Sequence, residues 1–400
     1  MKSIECVRRR KKLFLVRTED IITIFLLIFY GCFAAPILGT SVKESKEKVQ
    51  EAYTKSDVCG GCHKDIYSKW KNSMHAYSYS DPVFQGAYLK AYMETRGEAK
   101  KLCLRCHAPF VIHTGDYDLE KDITKDGIGC DFCHTIKDVN LSNDDQPFIL
   151  DVGKTKRGPY KGISSPAHET AYSQLHERSE ICGGCHDMRG PKGVLILGTY
   201  TEWRMSKYYQ QKTQCQNCHM PALKKAKIVS EKVKKSNRKV NLHELQGGHY
   251  GSQLKKATKI EIKDIKRSGE KATVVVEVTN SGAGHMIPTG IPSRTLTLEV
   301  TLTSKDGKLV LSDKRIYRKI MIDASGKPLE EDAEIMLRSH NIQSDSRIYP
   351  GETRRETFTF LFPAKMKFTA SAQLVYRYAP QILTSQEMKV EMAKVSKNSN

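Results

Sequence analysis

The stretch EICGGCHDMRG, residues 180–190, sets Cys182, Cys185 and His186 within five consecutive positions. The same frame, C-x-x-C-H, recurs at Cys59/Cys62/His63, Cys103/Cys106/His107, Cys130/Cys133/His134 and Cys215/Cys218/His219. Of the 12 cysteines only Cys6 and Cys32 lie outside these pentads, so almost no thiol remains for a disulfide framework. The cysteines are committed to something bound once per pentad.

Two thiols three residues apart suit addition to the two vinyl groups on one edge of a porphyrin, and the imidazole of the next residue reaches the iron. Zinc sites also use C-x-x-C pairs, but they need two pairs per metal and give no reason for a histidine after every second cysteine. The expected cofactor is therefore haem c, five copies covalently attached, with His63, His107, His134, His186 and His219 as proximal ligands. Of 13 histidines, eight remain, enough to ligate every iron from its far side. No C-x-x-C-K variant occurs.

Among these eight, His75 follows His63 by twelve positions beside Trp70, and His168 follows the rigid turn ISSP. His243 and His249 flank ELQGG, whose paired glycines permit a close approach to a flat ring. His285 sits in SGAGHMIPTG, between glycines and a proline. These five are the expected distal ligands; His113, His176 and His340 read as ordinary polar positions. Met74, Met188 and Met220, each near a pentad, read as packing residues, and Trp70 and Trp203 as rings packed on porphyrin faces.

At 400 residues with 39% hydrophobic content, the chain has room for two domains but modest apolar material to fill them. The formal charge of +20 needs correction. Residues 1–38 hold seven basic and three acidic side chains, and five haems with their propionates would add about five negative charges. No aromatic-interleaved basic motif accompanies the charge, so nucleic acid is not the expected partner. Residues 1–38 read as a basic segment, an apolar run and a small-residue exit near Ala34 or Ala35: a signal peptide, or alternatively an uncleaved anchor or a lipid site at Cys32. Export agrees with haem c, and the expected location is extracytoplasmic, in the periplasm or at the cell surface.

Residues 39–250 read as one haem-loaded, mostly helical and irregular domain. Helix-like pieces fall at DIYSKWKNSMHAYS and TEWRMSKYYQQKTQ, with no lasting strand pattern. The Lys-rich KKAKIVSEKVKKSNRKV reads as a solvated joint. Beyond it the cysteines stop, and alternation sets in at TKIEIKDIKR, KATVVVEVTN, TLTLEVTLTS, LVLSDKRIYRKI, TRRETFTFLF and SAQLVYRYAP. Residues 251–393 are expected to form an antiparallel β-sandwich of immunoglobulin-like outline, with a tail at 394–400. The fold class is α+β.

The stretches CGGCHKDIYSKWKNSMHAYSYSDPVFQ, GIGCDFCH, SPAHETAYSQLHERSEICGGCHD and TEWRMSKYYQQKTQCQNCHMP together resemble the multihaem cytochrome c family typified by cytochrome c-554. The resemblance runs from about Val58 to Pro221. NLHELQGGHYG and the segments GAGHMIPTG and DSRIYPGE resemble the tail of many members of that wider group. The resemblance implies an electron carrier with closely stacked haems and His75 as a distal ligand. Five pentads exceed the four of the namesake, so its ligand pairings do not transfer as a set.

The function expected is electron transfer along packed bis-histidine haems. The partners are redox donors and acceptors, among them other multihaem cytochromes or a membrane quinol-oxidising complex, with self-assembly into oligomers also in view. The alternative is a reductase or oxidase of a small nitrogen or sulfur compound at one open haem, with His113, His176 and Asp187 as candidate acid or base groups.

Overall fold

The computed structural model describes residues 53–190, 192–223, 226–229, 240–378 and 387–399, all within one compact unit spanning 46–400. The leader at 1–38, Cys6, Cys32 and most of the Lys-rich joint lie outside the described residues. No helix among the described residues is long and apolar enough to cross a membrane.

The pentads sit on short helices: α1 (Ser56–Cys62), α4 (Ala99–His107), α6 (Cys130–Thr135), α7 (Glu180–His186) and α10 (Cys215–His219). Helical periodicity brings positions i, i+3 and i+4 to one face, so each turn presents both cysteines and the histidine together. Between them run α2 (Lys64–Trp70), α3 (Pro82–Glu94), α5 (Val111–Thr114), α8 (Thr199–Arg204) and α9 (Lys207–Gln210). The helix expected over 65–78 stops at Trp70, because the Ser73 hydroxyl accepts the Ala76 N–H and draws the chain into turns. The one expected over 201–214 is split at Ser206, which caps α9 through Tyr208 N.

Short strands do occur in this region, contrary to expectation. β1 (Ile136–Val139) pairs with β2 (Phe148–Leu150), β3 (Thr155–Gly158) with β4 (Glu169–Tyr172), β5 (Asp187–Arg189) with β6 (Leu195–Gly198), and β7 (Ala222–Leu223) with β8 (Val240–Asn241). Two to four residues carry too little alternation to be read from sequence.

After α11 (Gly251–Ala257) come the long strands β9 (Thr258–Ser268), β10 (Lys271–Asn280), β11 (Arg294–Ser304) and β12 (Val310–Tyr317). They are followed by β13 (Lys319–Ile322), β14 (Pro328–Leu329), α12 (Asp332–Arg338) and β15 (Asn341–Asp345), then β16 (Thr353–Leu361), β17 (Phe368–Tyr378) and β18 (Met388–Asn398). Three antiparallel sheets result, ordered β16-β10-β9, β12-β11-β17-β18 and β14-β13-β15. The first two share one core: Ala272, Val274, Val276 and Val278 of β10 point into it, as do Leu296, Leu298, Val300 and Leu302 of β11. The segment LVLSDKRIYRKI is not one strand, because the chain leaves the four-stranded sheet at Arg318 and enters the three-stranded one. β18 runs past residue 393, its far end tied to β17 through the Thr369–Asn398 pairing.

Candidate functional site

A carbonyl oxygen can only accept, so a histidine whose Nδ1 meets a backbone carbonyl carries its proton there and keeps the Nε2 lone pair free for a metal. Four pentad histidines are held in this way. His63 Nδ1 donates to Ile228 O (2.6 Å), His107 to Ser78 O (2.7 Å), His134 to Arg157 O (2.5 Å) and His219 to Gln246 O (2.6 Å). The expected distal residues His168, His243 and His285 follow the same rule, donating to Glu169 O (2.9 Å), Asn241 O (2.7 Å) and Met286 O (2.9 Å).

The pentad rings do not stand alone. His168 faces His63 with ring centres 6.3 Å apart, His75 faces His186 at 6.2 Å, and His285 faces His219 at 6.3 Å. A metal held by two imidazoles at about 2 Å per bond separates their nitrogens by about 4 Å and their ring centres by about 6 Å. These gaps therefore fit one iron each. Among the described residues, no three of His, Cys, Asp or Glu converge as a direct metal cage requires.

His134 is faced at 5.5 Å by His176, expected instead to be an ordinary polar position. His176 Nε2 donates to Cys133 O (3.0 Å), leaving its Nδ1 buried without a partner, an orphan of the kind a metal would satisfy. His243 lies in the electrostatic field of His134 and His63. Neither His243 nor His249 is ring-paired with a pentad histidine; His249 stands edge-on to Tyr378 at 6.2 Å. His107 has Phe84 stacked on its face, 3.7 Å away.

Where an imidazole of this set is desolvated, burial favours its neutral, metal-ligating form. It pushes His75 down to about 3, and His186, His176 and His243 each to about 4, with neighbouring histidine charges adding to the effect. His107, His134, His219 and His249 are lowered for the same first reason.

Supporting contacts fix the distal loops. Ile128 N donates to His75 O (3.0 Å), and a Cβ on Gly127, at φ +66°, would stand 2.6 Å from Ala76 O and 2.8 Å from His75 O. Gly127→Ala is therefore expected to displace the His75 loop and cost more than about 1 kcal/mol, read as a lowered midpoint in thermal unfolding. Met188 is buried in a core with Ile196, Met321 and Leu329, the packing role expected of it. Trp70 and Trp203 are buried, and their indole N–H groups donate to Ile128 O and Thr213 O. Asp187 is occupied by Thr201, taking its N–H and hydroxyl. His113 and His340 are exposed.

The family pattern described as cytochrome c554 and c-prime matches residues 58–135. A penta-haem cytochrome c552 from Thermochromatium tepidum superposes over 87% of this chain and 99% of its own, with 23% identity and a TM-score of 0.67. At that identity the likeness is one of fold. A putative β-galactosidase from Bacteroides fragilis (15% identity, 36% of this chain and 15% of that one, TM-score 0.19) and a PapD-like domain of a human protein (12% identity, 37% and 87%, TM-score 0.15) score too low to bear on the fold. No curated protein matches by sequence. The pentads and the family pattern agree on haem c as the cofactor, and the chain resembles the multihaem cytochromes c of the cytochrome c554 group, in pattern over residues 58–135 and in fold over most of its length.

Proposed function

We propose that this chain is an exported electron carrier holding five covalent haems, one per pentad. The carrying observation is the set of imidazoles that face pentad histidines across iron-sized gaps. On this reading His168, His75 and His285 are the distal partners of His63, His186 and His219. His134 has two candidates, His176 through Nδ1 and His243 through Nε2. His249 is assigned to His107, since Asp81 acts on both rings. When bound, the haems supply one-electron ferric/ferrous couples whose proximity lets electrons pass between them.

The order of the pentads follows from which thiols act on one another electrostatically. Cys59 interacts with Cys130, Cys106 with Cys185, and Cys182 with Cys215, while Cys133 acts on both Cys182 and Cys185. The first, third, fourth and fifth pentads thus form a line, with the second branching from the fourth. Among the described cysteines, Cys62 and Cys218, in the pentads at the two ends, are the exposed ones. Electrons enter and leave there, exchanged with redox proteins outside the cytoplasm. The sheets act as an immunoglobulin-like scaffold that delivers His285.

A reductase working at one open haem is the second reading. It is favoured by His107, which meets an aromatic face, Phe84, where the other four pentad histidines each face an imidazole. A ferric spectrum without any high-spin or ligand-exchangeable iron removes it. The primary reading is tested by pyridine haemochrome and intact mass: five haems per chain are expected, and four in Cys215→Ala. An apoprotein mass, or zinc in elemental analysis, overturns it.

A further inference from the structure

Two stretches of the chain share more than a pentad. SDVCGGCH (56–63) and SEICGGCH (179–186) both carry a serine three residues ahead of the first cysteine, and Ser56 and Ser179 are both fully buried. The Ser56 hydroxyl accepts the N–H of Cys130 at 2.9 Å; the Ser179 hydroxyl accepts the N–H of Cys215 at 2.9 Å. Each serine then gives both its own N–H and its hydroxyl proton to a single side-chain oxygen just ahead of that second pentad. For Ser56 this is Asp126 Oδ2 (3.0 and 2.7 Å), and for Ser179 it is Gln214 Oε1 (2.8 and 2.8 Å).

The correspondence continues beyond the serines. The helix following each first pentad carries Tyr-x-x-Trp, with Tyr67 and Trp70 ring centres 5.7 Å apart at 31°, and those of Tyr200 and Trp203 5.5 Å apart at 38°. Both indoles donate to the carbonyl two residues ahead of the second pentad's first cysteine, Trp70 to Ile128 O (3.0 Å) and Trp203 to Thr213 O (2.8 Å). The first glycine of each CGGC lies under its tyrosine, where a Cβ would stand 2.6 Å from the ring of Tyr67 and 3.0 Å from that of Tyr200. The same contacts recur although the chain between the two pentads is far longer in the first case than in the second.

We infer that the chain is built on a duplicated two-pentad unit, and that Ser56 and Ser179 are its positioning residues: each fixes the first cysteine of the second pentad, and through it the coupling between the two haems of its own unit. The inference rests on the electron-transfer reading above. The N–H of Cys130 or Cys215 opens a helix and has no partner within it, so the serine hydroxyl is what anchors that helix to the first pentad. Buried itself and bonded both as donor and as acceptor, the hydroxyl has one orientation open to it. Removing it leaves the cysteine N–H without a partner in a buried place and frees the second pentad to shift. The potential of a haem responds to hydrogen bonding and burial around it.

Ser56→Ala and Ser179→Ala, made in the full haem-loaded protein, test this by potentiometric titration followed optically and by electron paramagnetic resonance. Each variant is expected to retain the wild-type haem count and low-spin ligation while shifting the potentials of a subset of haems. The two subsets should not overlap, and the double variant should show both shifts. Identical subsets, or lower thermal stability with every potential unchanged, overturns the inference by making the serines merely structural. Should Ser179→Ala lose haem, Gln214→Met decides instead: it keeps the serine but removes the oxygen that orients it. It must shift the same haems that Ser179 is placed to govern, leaving those of the Ser56 unit unchanged, and no shift overturns the inference. A wild-type haem count other than five defeats the electron-carrier reading itself, independently of how the serine variants behave.

Discussion

Replacing His285 by alanine is expected to turn one haem of five high-spin and reactive to carbon monoxide, with the other four unchanged. The ring of His285 lies 6.3 Å from that of His219, inclined by 17°, and its Nδ1 is tied to Met286 O. The loop carrying it is held from both sides. Asn280 Nδ2 donates to His285 O (2.9 Å), and Glu202 of α8 accepts from Met286 N (3.2 Å) and the Thr289 hydroxyl (2.7 Å). Arg347 completes the frame, pairing with Glu202 at 2.6 Å where both side chains are 6% exposed, and donating to Pro288 O. Breaking such a buried pair by removing one partner costs about 3–5 kcal/mol, so the frame is rigid. His285→Ala leaves the frame in place, and the fold should survive the loss of one axial nitrogen. Optical spectra of the ferric and carbon-monoxide-treated ferrous forms check this, and added imidazole should return the altered haem to low spin. If every haem stays low-spin and unreactive, His285 is not a ligand.

The proximal half of each candidate centre was legible because it is local. Two cysteines and a histidine within five residues need only one turn of helix to converge, and α1, α4, α6, α7 and α10 provide it. The long strands were legible for the same reason, since the alternation in KATVVVEVTN is the burial pattern of β10 itself. Distal pairing is not local. His75 meets His186, and His219 meets His285, only after the chain has folded back on itself. Spacing from His63 and the family resemblance guided the choice of His75, and loop chemistry that of His168 and His285, but neither pointed to His176, which sits on a short 3₁₀ turn with no periodicity to mark its face. The Glu202–Arg347 joint was equally hidden, because a charge at 202 and one at 347 carry no mutual signal until the sheets bring them together.

Blocking haem attachment is expected to unfold the cysteine-bearing part of the chain and leave the β-sheets standing. The two parts fill their interiors differently. In the sheets a single cluster gathers Val274, Val276, Leu298, Leu302, Phe358 and Leu374, all without exposed surface, and burial of each contributes about 1.5–3 kcal/mol. Among the described residues of 53–250 there is no comparable centre. Their apolar side chains fall into small separate groups, one around Phe110, Phe132 and Phe148, another around Leu104, Ala108 and Val111. The same part of the chain carries the pentad histidines, which pair with His168, His75 and His285 at ring-centre distances of 6.3, 6.2 and 6.3 Å, room for an iron in each pair. Porphyrins supply the missing apolar mass and the iron bonds that hold distal loops to pentad helices, so without them this part lacks both cohesion and cross-links. A variant with all ten pentad cysteines replaced by alanine should be colourless and lose the helical part of its circular dichroism. Limited proteolysis should leave a resistant fragment starting near Thr258, with a β-type spectrum and its own cooperative melt. If the haem-free chain keeps its helical signal and melts in a single transition with the sheets, the protein core is sufficient and the haems are guests in a finished fold.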